Sequence, residues 1–129
     1  MAGKKNAMNV EPTNGEMAIL EVLWKHGPST VRFVNDTLNK EREVNYTSTL
    51  KQMQVMAEKG LLTRDESNMK HVYEAVPDEE VVKNHFLQKF VDMHYNGSAS
   101  KLMMQLLGNK KTTKKDLDYI KEQIKKMDQ

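Results

Sequence analysis

NYTSTLKQMQVMAEKGLLTRDESNMKHVYEAV, residues 45–76, decides the fold, because within it the hydrophobic period changes from helical to extended. On a wheel of about 100° per residue, Tyr46, Thr49, Leu50, Met53, Met56 and Ala57 gather on one side. Thr47, Ser48, Lys51, Gln52, Gln54, Val55 and Lys59 occupy the other. Asn45 or Thr47 can cap the start with a side-chain oxygen, and Gly60 stands where a helix needs a positive φ to stop. Beyond it, residues 61–65 and 70–76 are two short runs containing Leu62, Thr63, Val72, Tyr73 and Val76, separated by the polar turn Glu66-Ser67-Asn68-Met69. A helix, a glycine and a hairpin have the layout of a recognition helix with its wing. The hydroxyls, amides and lysine on the polar arc are donors and acceptors sized for base edges and phosphates, although the same residues also suit an ordinary solvated face. Arg64, Lys70 and His71 lie on or beside the hairpin, where cations can reach a phosphate backbone.

The upstream sequence supplies a scaffold for that helix. Thr13 and Glu16 have capping-box spacing, and Ile19, Leu20, Leu23 and Trp24 follow as an apolar stripe that His26-Gly27-Pro28 ends. Ser29 is expected to cap a second helix, in which Val31, Val34 and Leu38 share a face and Phe33 lies off it. Val44, after the charged Glu41-Arg42-Glu43 turn, can add one residue to the sheet. The expected fold is mainly α, a winged helix-turn-helix of three helices and a small β-hairpin followed by a helical dimerisation domain. The expected divisions are a disordered arm over residues 1–11, the winged domain over 12–77 and the helical domain over 78–129.

That last domain is read from three apolar stripes. Pro77 marks the boundary and Asp78 caps a helix whose Val82, Phe86, Leu87, Phe90 and Met93 are too apolar a face for a lone helix in water. Ser98 caps a short helix carrying Leu102, Met103, Leu106 and Leu107, closed by Gly108. Thr113 and Asp116 then cap a helix in which Leu117, Ile120, Ile124 and Met127 recur as a seam. Folding back on the first domain is one way to cover these faces; mutual burial across a twofold axis is the economical one, and it names Phe86, Phe90, Leu102, Leu106, Leu117, Ile120 and Ile124 as dimerisation residues.

Composition sets limits. The 129 residues include no cysteine, which excludes disulfides and thiolate metal sites and suits a reducing, cytoplasmic setting. No apolar run has the length of a membrane span or signal-peptide core, so membrane insertion is not expected. Residues 1–77 carry ten Lys or Arg against ten Asp or Glu, so bulk basicity gives no argument for nucleic-acid binding. The net charge of +2 resides in the remainder of the chain. Ser98-Ala99-Ser100-Lys101 fits the S-x-x-K of penicillin-interactive enzymes, but no K-T-G accompanies it and a helix cap explains Ser98. The four histidines lack metal-ligand spacing, and most of the ten methionines fall on apolar helical positions. No catalytic residue, metal or cofactor is assigned.

Taken together, P-T-x-x-E-x-x-I-L-x-V-L-W at 12–24, H-G-P-S-T-V-R at 26–32, Y-T-S-T-L-K-Q-M-Q at 46–54, E-K-G-L-L-T-R-D-E-S at 58–67, H-V-Y at 71–73 and N-G-S-A-S-K-L at 96–102 carry a resemblance. The chain resembles the penicillinase-repressor family of bacterial winged-helix transcription factors, which includes the methicillin-resistance and copper-homeostasis repressors. The resemblance implies a homodimeric repressor on a palindromic double-stranded DNA operator. On that reading Thr47, Ser48, Lys51, Gln52 and Val55 face bases, while Tyr46, Lys59, Arg64 and Lys70 position the DNA backbone.

The departures concern regulation. Many relatives carry an arginine where this chain has Val55, so that contact is lost or becomes an apolar one, as to a thymine methyl. The copper-responsive branch has a C-terminal cysteine cluster that is absent here. The antibiotic-responsive branch is cleaved at an Asn-Phe bond, and residues 101–107 contain no such pair, so a membrane sensor metalloprotease would need another scissile bond. Two other readings use the same residues: a winged-helix protein-interaction module that binds no DNA, and a DNA-binding regulator released by a small ligand between its domains.

Overall fold

The computed structural model describes residues 10–67 and 71–127, which form six α-helices and one antiparallel pair of strands. In chain order these are α1 (Asn14–His26), α2 (Val31–Leu38), α3 (Tyr46–Lys59), β1 (Leu62–Asp65), β2 (Val72–Ala75), α4 (Glu79–Tyr95), α5 (Ala99–Leu107) and α6 (Lys114–Met127). The architecture is mainly α: a winged helix-turn-helix followed by a helical C-terminal part. The chain divides into two compact units, one ending at Lys83 and the other beginning at Asn84. Most of the expected N-terminal arm, residues 1–9, lies outside the described residues, as does the expected turn at Asn68 and Met69.

Local chemistry sets the limits of the first three helices. At α1, the Thr13 hydroxyl accepts from the Glu16 amide at 3.2 Å and the Glu16 carboxylate accepts from the Thr13 amide at 3.0 Å, a reciprocal capping box. Gly27 ends α1 at φ 83°. Thr30 caps α2 by accepting from the Phe33 amide at 3.1 Å. This corrects the expectation for Ser29, whose extended backbone instead exchanges two hydrogen bonds with Tyr73, at 3.0 and 2.8 Å. Ser29 thereby supplies the one-residue addition to the sheet expected of Val44. Val44 cannot do so because its amide and carbonyl are both taken by the Asn39 side chain, at 3.0 and 2.8 Å. Asn45 caps α3, and Gly60 closes it in the left-handed region at φ 87°.

The stripes converge on one core. Ile19, Leu20 and Leu23 of α1, Val34 of α2 and Met53 and Met56 of α3 meet Leu61, Leu62 and Tyr73 around the hairpin. Burying side chains of this size stabilises by about 1.5–3 kcal/mol each, which turns a short amphipathic helix into a fixed one. The hairpin register pairs Leu62 with Ala75 and Arg64 with Tyr73. Phe33, off the stripe, stays exposed and packs edge-on against His26 at 5.1 Å.

The first turn of α4 also belongs to this unit. Trp24 Nε1 donates to the Pro77 carbonyl at 3.1 Å, Val82 is buried, and Lys83 pairs with Glu79 at 2.7 Å and Glu21 at 3.2 Å. Hydrogen bonding to Glu79 first and Glu21 second holds the Lys83 ammonium above its usual range.

The second unit contains the rest of α4 with α5 and α6. Asn96 and Gly97 take positive φ, and the Gly97 amide bonds back to the Val91 carbonyl at 3.0 Å, so α4 ends in a Schellman-type reversal. Ser98 caps α5, and Thr113 and Asp116 cap α6 reciprocally. Neither α5 nor α6 has a buried residue. No helix among the described residues is long and apolar enough to cross a membrane.

Candidate nucleic-acid interface

Helix α3 is held at its start by a buried polar network that spans the turn from α2. The Thr49 hydroxyl and the Asn35 amide, both buried, lie 2.7 Å apart. With the orientation its neighbours require, the Asn35 nitrogen also faces the carbonyls of Val44 and Asn45 at 3.2 and 3.3 Å, while its oxygen accepts from Asn39 at 3.2 Å. Thr49 fell on the apolar side of the wheel, and its hydroxyl is tolerated there because Asn35 satisfies it. A fully satisfied network of this kind fixes the entry angle of α3 more sharply than apolar packing alone.

The face directed away from the core carries most of the residues expected to face bases. Thr47, Ser48 and Lys51 are exposed, and Val55 is half-buried beside them. Lys51 pairs with no carboxylate among the described residues. Gln52 is also half-buried, and its amide nitrogen reaches so close to Gly15 that a Cβ there would stand 2.7 Å away. Gln52 is thus directed towards the start of α1, at the edge of the exposed arc. Exposed Glu58 lies two turns beyond Lys51 on the same arc, a carboxylate the expected set omitted. A polyanion approaching α3 meets donors in the first turns and a repelling charge in the last.

The expected backbone-positioning residues are placed very differently from one another. Lys59 has its ammonium 2.7 Å from the carboxylate of Glu16, which is buried, so its charge is drawn back onto α1. Tyr46 is partly exposed and lies beneath the Arg32 guanidinium, 4.3 Å from ring centroid to carbon. Arg64 stands on β1, ion-paired with Glu66 and beside the Tyr73 hydroxyl. Hydrogen bonding to Tyr73 and then to Glu66 raises its pKa further above an already high value. Lys70 lies outside the described residues. Arg32 was missed by the sequence reading, because only the fold brings the first turn of α2 to the first residue of α3.

In the second unit, the expected dimerisation residues Phe90, Leu106, Ile120 and Ile124 are exposed, while Phe86, Leu102 and Leu117 are half-buried. Helices α5 and α6 enclose an apolar groove of about 1040 Å³, lined by Met103, Leu106, Leu107, Leu117, Ile120 and Ile124 among others. Among the described residues no three His, Asp or Glu side chains converge as a metal site.

A family model described as penicillinase repressor matches residues 12–126. No curated protein matches the sequence.

Proposed function

Because the chain belongs to the penicillinase repressor family, a family of transcriptional repressors, we propose that it binds a palindromic DNA operator as a homodimer and is released by an inducing signal. The observation that carries this reading is the outward arc of α3, where Thr47, Ser48 and Lys51 stand exposed on a helix fixed from behind by Asn35 and Thr49. An ordinary solvated helix face would neutralise its charges by pairs three and four residues apart. Here the first turns of the arc have Lys51, unpaired among the described residues, with hydroxyls and a half-buried valine suited to base edges and a thymine methyl, and Glu58 only in the last turn. The exposed apolar faces of α5 and α6 support self-association, and two joined copies would present two such arcs to half-sites about one helical turn, ~34 Å, apart.

Footprinting on the DNA upstream of the protein's own gene, at several salt concentrations and alongside sedimentation, tests the reading. The expected result is a twofold footprint that weakens steeply with salt, produced by the dimer. Equal affinity for random duplex, or monomer binding as tightly as dimer, would overturn it.

Release by a membrane sensor protease is the family's route that this chain can still follow. Helix α5 has no residue buried within its own chain, so opening it for cleavage costs little of the protomer's own fold and acts on the proposed dimer contact instead. Incubation with lysate from induced cells should then cut within residues 98–108; an intact segment alongside a released operator would sink that route.

A further inference from the structure

The neutrality of residues 1–77 makes the location of each unneutralised cation the central question for DNA affinity. One place brings two arginines and a histidine together. Between the first turn of α2, the first turns of α3 and the hairpin lies a notch of about 380 Å³ whose lining includes Thr30, Arg32, Tyr46, Gln54, Arg64 and His71, and no carboxylate-bearing residue.

We propose that this notch is a phosphodiester subsite in which Arg32, oriented by Tyr46, is the principal ligand and Arg64 and His71 flank it. The proposal rests on the DNA-binding reading above and adds to it a residue and a place.

Three features carry it. Arg32 has no carboxylate partner among the described residues, whereas Arg64 is already paired with Glu66, so of the two notch arginines Arg32 is the one whose charge is available. Its guanidinium lies over the Tyr46 ring at 4.3 Å. A guanidinium that rests its face on a ring keeps its in-plane N–H donors, and their fork matches two phosphate oxygens. The ring also removes part of the rotamer freedom that an arginine otherwise loses on binding. Finally, the lining includes Thr30 and Val31 at the start of α2, so the positive end of that helix faces the same space. A phosphate seated there would lie beside Tyr46 at the N-terminal end of α3 and would fix the register in which the exposed arc of that helix meets bases.

The test uses the full-length protein, the footprinted upstream fragment and a random-sequence duplex. Arg32→Ala should lower affinity for both duplexes by the same factor, about tenfold, and flatten the salt slope by about one unit per protomer. Arg32→Lys should restore the slope but only part of the affinity, and Tyr46→Leu should weaken binding where Tyr46→Phe does not. Neutralising single phosphates as methylphosphonates should reveal one position per half-site that weakens the wild type and leaves Arg32→Ala unaffected. This scan on the wild type and on Arg32→Lys keeps the test decisive if Arg32→Ala fails to fold. An unchanged salt slope in Arg32→Ala, or a loss confined to the upstream fragment, would overturn the proposal, the latter by marking a base contact. So would competition by inorganic phosphate at fixed ionic strength that Arg32→Ala abolishes while the operator slope stays unchanged, which would assign the notch to a free anion. Wild-type protein that binds neither duplex would refute DNA binding itself, a separate failure.

Discussion

Glu16 performs two functions with one carboxylate. One oxygen closes the capping box with Thr13 and the other holds Lys59, 43 residues away in sequence, while the group itself is buried. The first contact was legible in the sequence, because a spacing of three residues fixes it locally; the second depends on α3 packing against α1 and left no local trace. Lys59 therefore acts as a strut between α1 and the end of α3 before any phosphate role. The asymmetry of buried pairs gives a prediction. Glu16→Gln keeps an acceptor for Thr13 and removes the buried charge, and should cost about 1–2 kcal/mol. Lys59→Met strands a buried carboxylate and should cost more, about 3 kcal/mol, somewhat reduced because Lys59 is one-third exposed. Chemical denaturation of the two variants checks the order. A smaller loss in Lys59→Met would show that the pair is a surface contact with no structural weight.

At the scale of elements, the sequence located each helix because caps and stops are local chemistry: Thr13, Asn45, Ser98 and Thr113 begin helices, and Gly27, Gly60 and Gly108 end them. The third component of the sheet was assigned to the wrong residue. Val44 has the β-favouring side chain, but a one-residue bridge requires only a free extended backbone, which Ser29 has and Val44 does not. The hairpin contains a further local device. The Asp65 carboxylate accepts from the Ser67 amide at 2.9 Å, and hydrogen bonding to the Ser67 backbone and then its side chain lowers the Asp65 pKa below the usual range. A lowered carboxylate pKa means a contribution present above the unfolded value, near 3.9, and lost as pH falls through the still lower folded value. The Ser67 amide resonance should accordingly titrate with a midpoint below that of an ordinary aspartate, and Asp65→Asn, which keeps an acceptor, should abolish the titration. A midpoint at or above the ordinary value would show that the turn does not hold the carboxylate.

For the molecule as a whole, the two compact units pose opposite problems. The first has a closed core but, over residues 1–83, eleven Lys or Arg against thirteen Asp or Glu, a net charge of −2 that does not favour binding a polyanion. The second carries exposed apolar side chains that its own helices leave uncovered, including Phe90, Leu106, Leu107 and Ile124. Both problems are solved by the same step. If two chains bury the α5 and α6 faces against each other, the second half-site contact becomes intramolecular, and effective concentration supplies the affinity that local charge does not. The 3-4-3 seam in α6 was legible because apolar periodicity is a property of one helix. What covers the seam was not, since the same stripe serves a second copy or another surface. Leu106→Asp combined with Ile120→Asp places two charges in the groove of α5 and α6 and should convert a dimer into a monomer by sedimentation. Operator affinity should fall by about 10²–10⁴ as the linked second contact is lost, and the dependence of Tm on protein concentration should disappear with it. The first unit, whose core contains neither residue, should keep its melting transition. A double variant that sediments and binds as the wild type would mean that other faces, those of α4 above all, join the two copies.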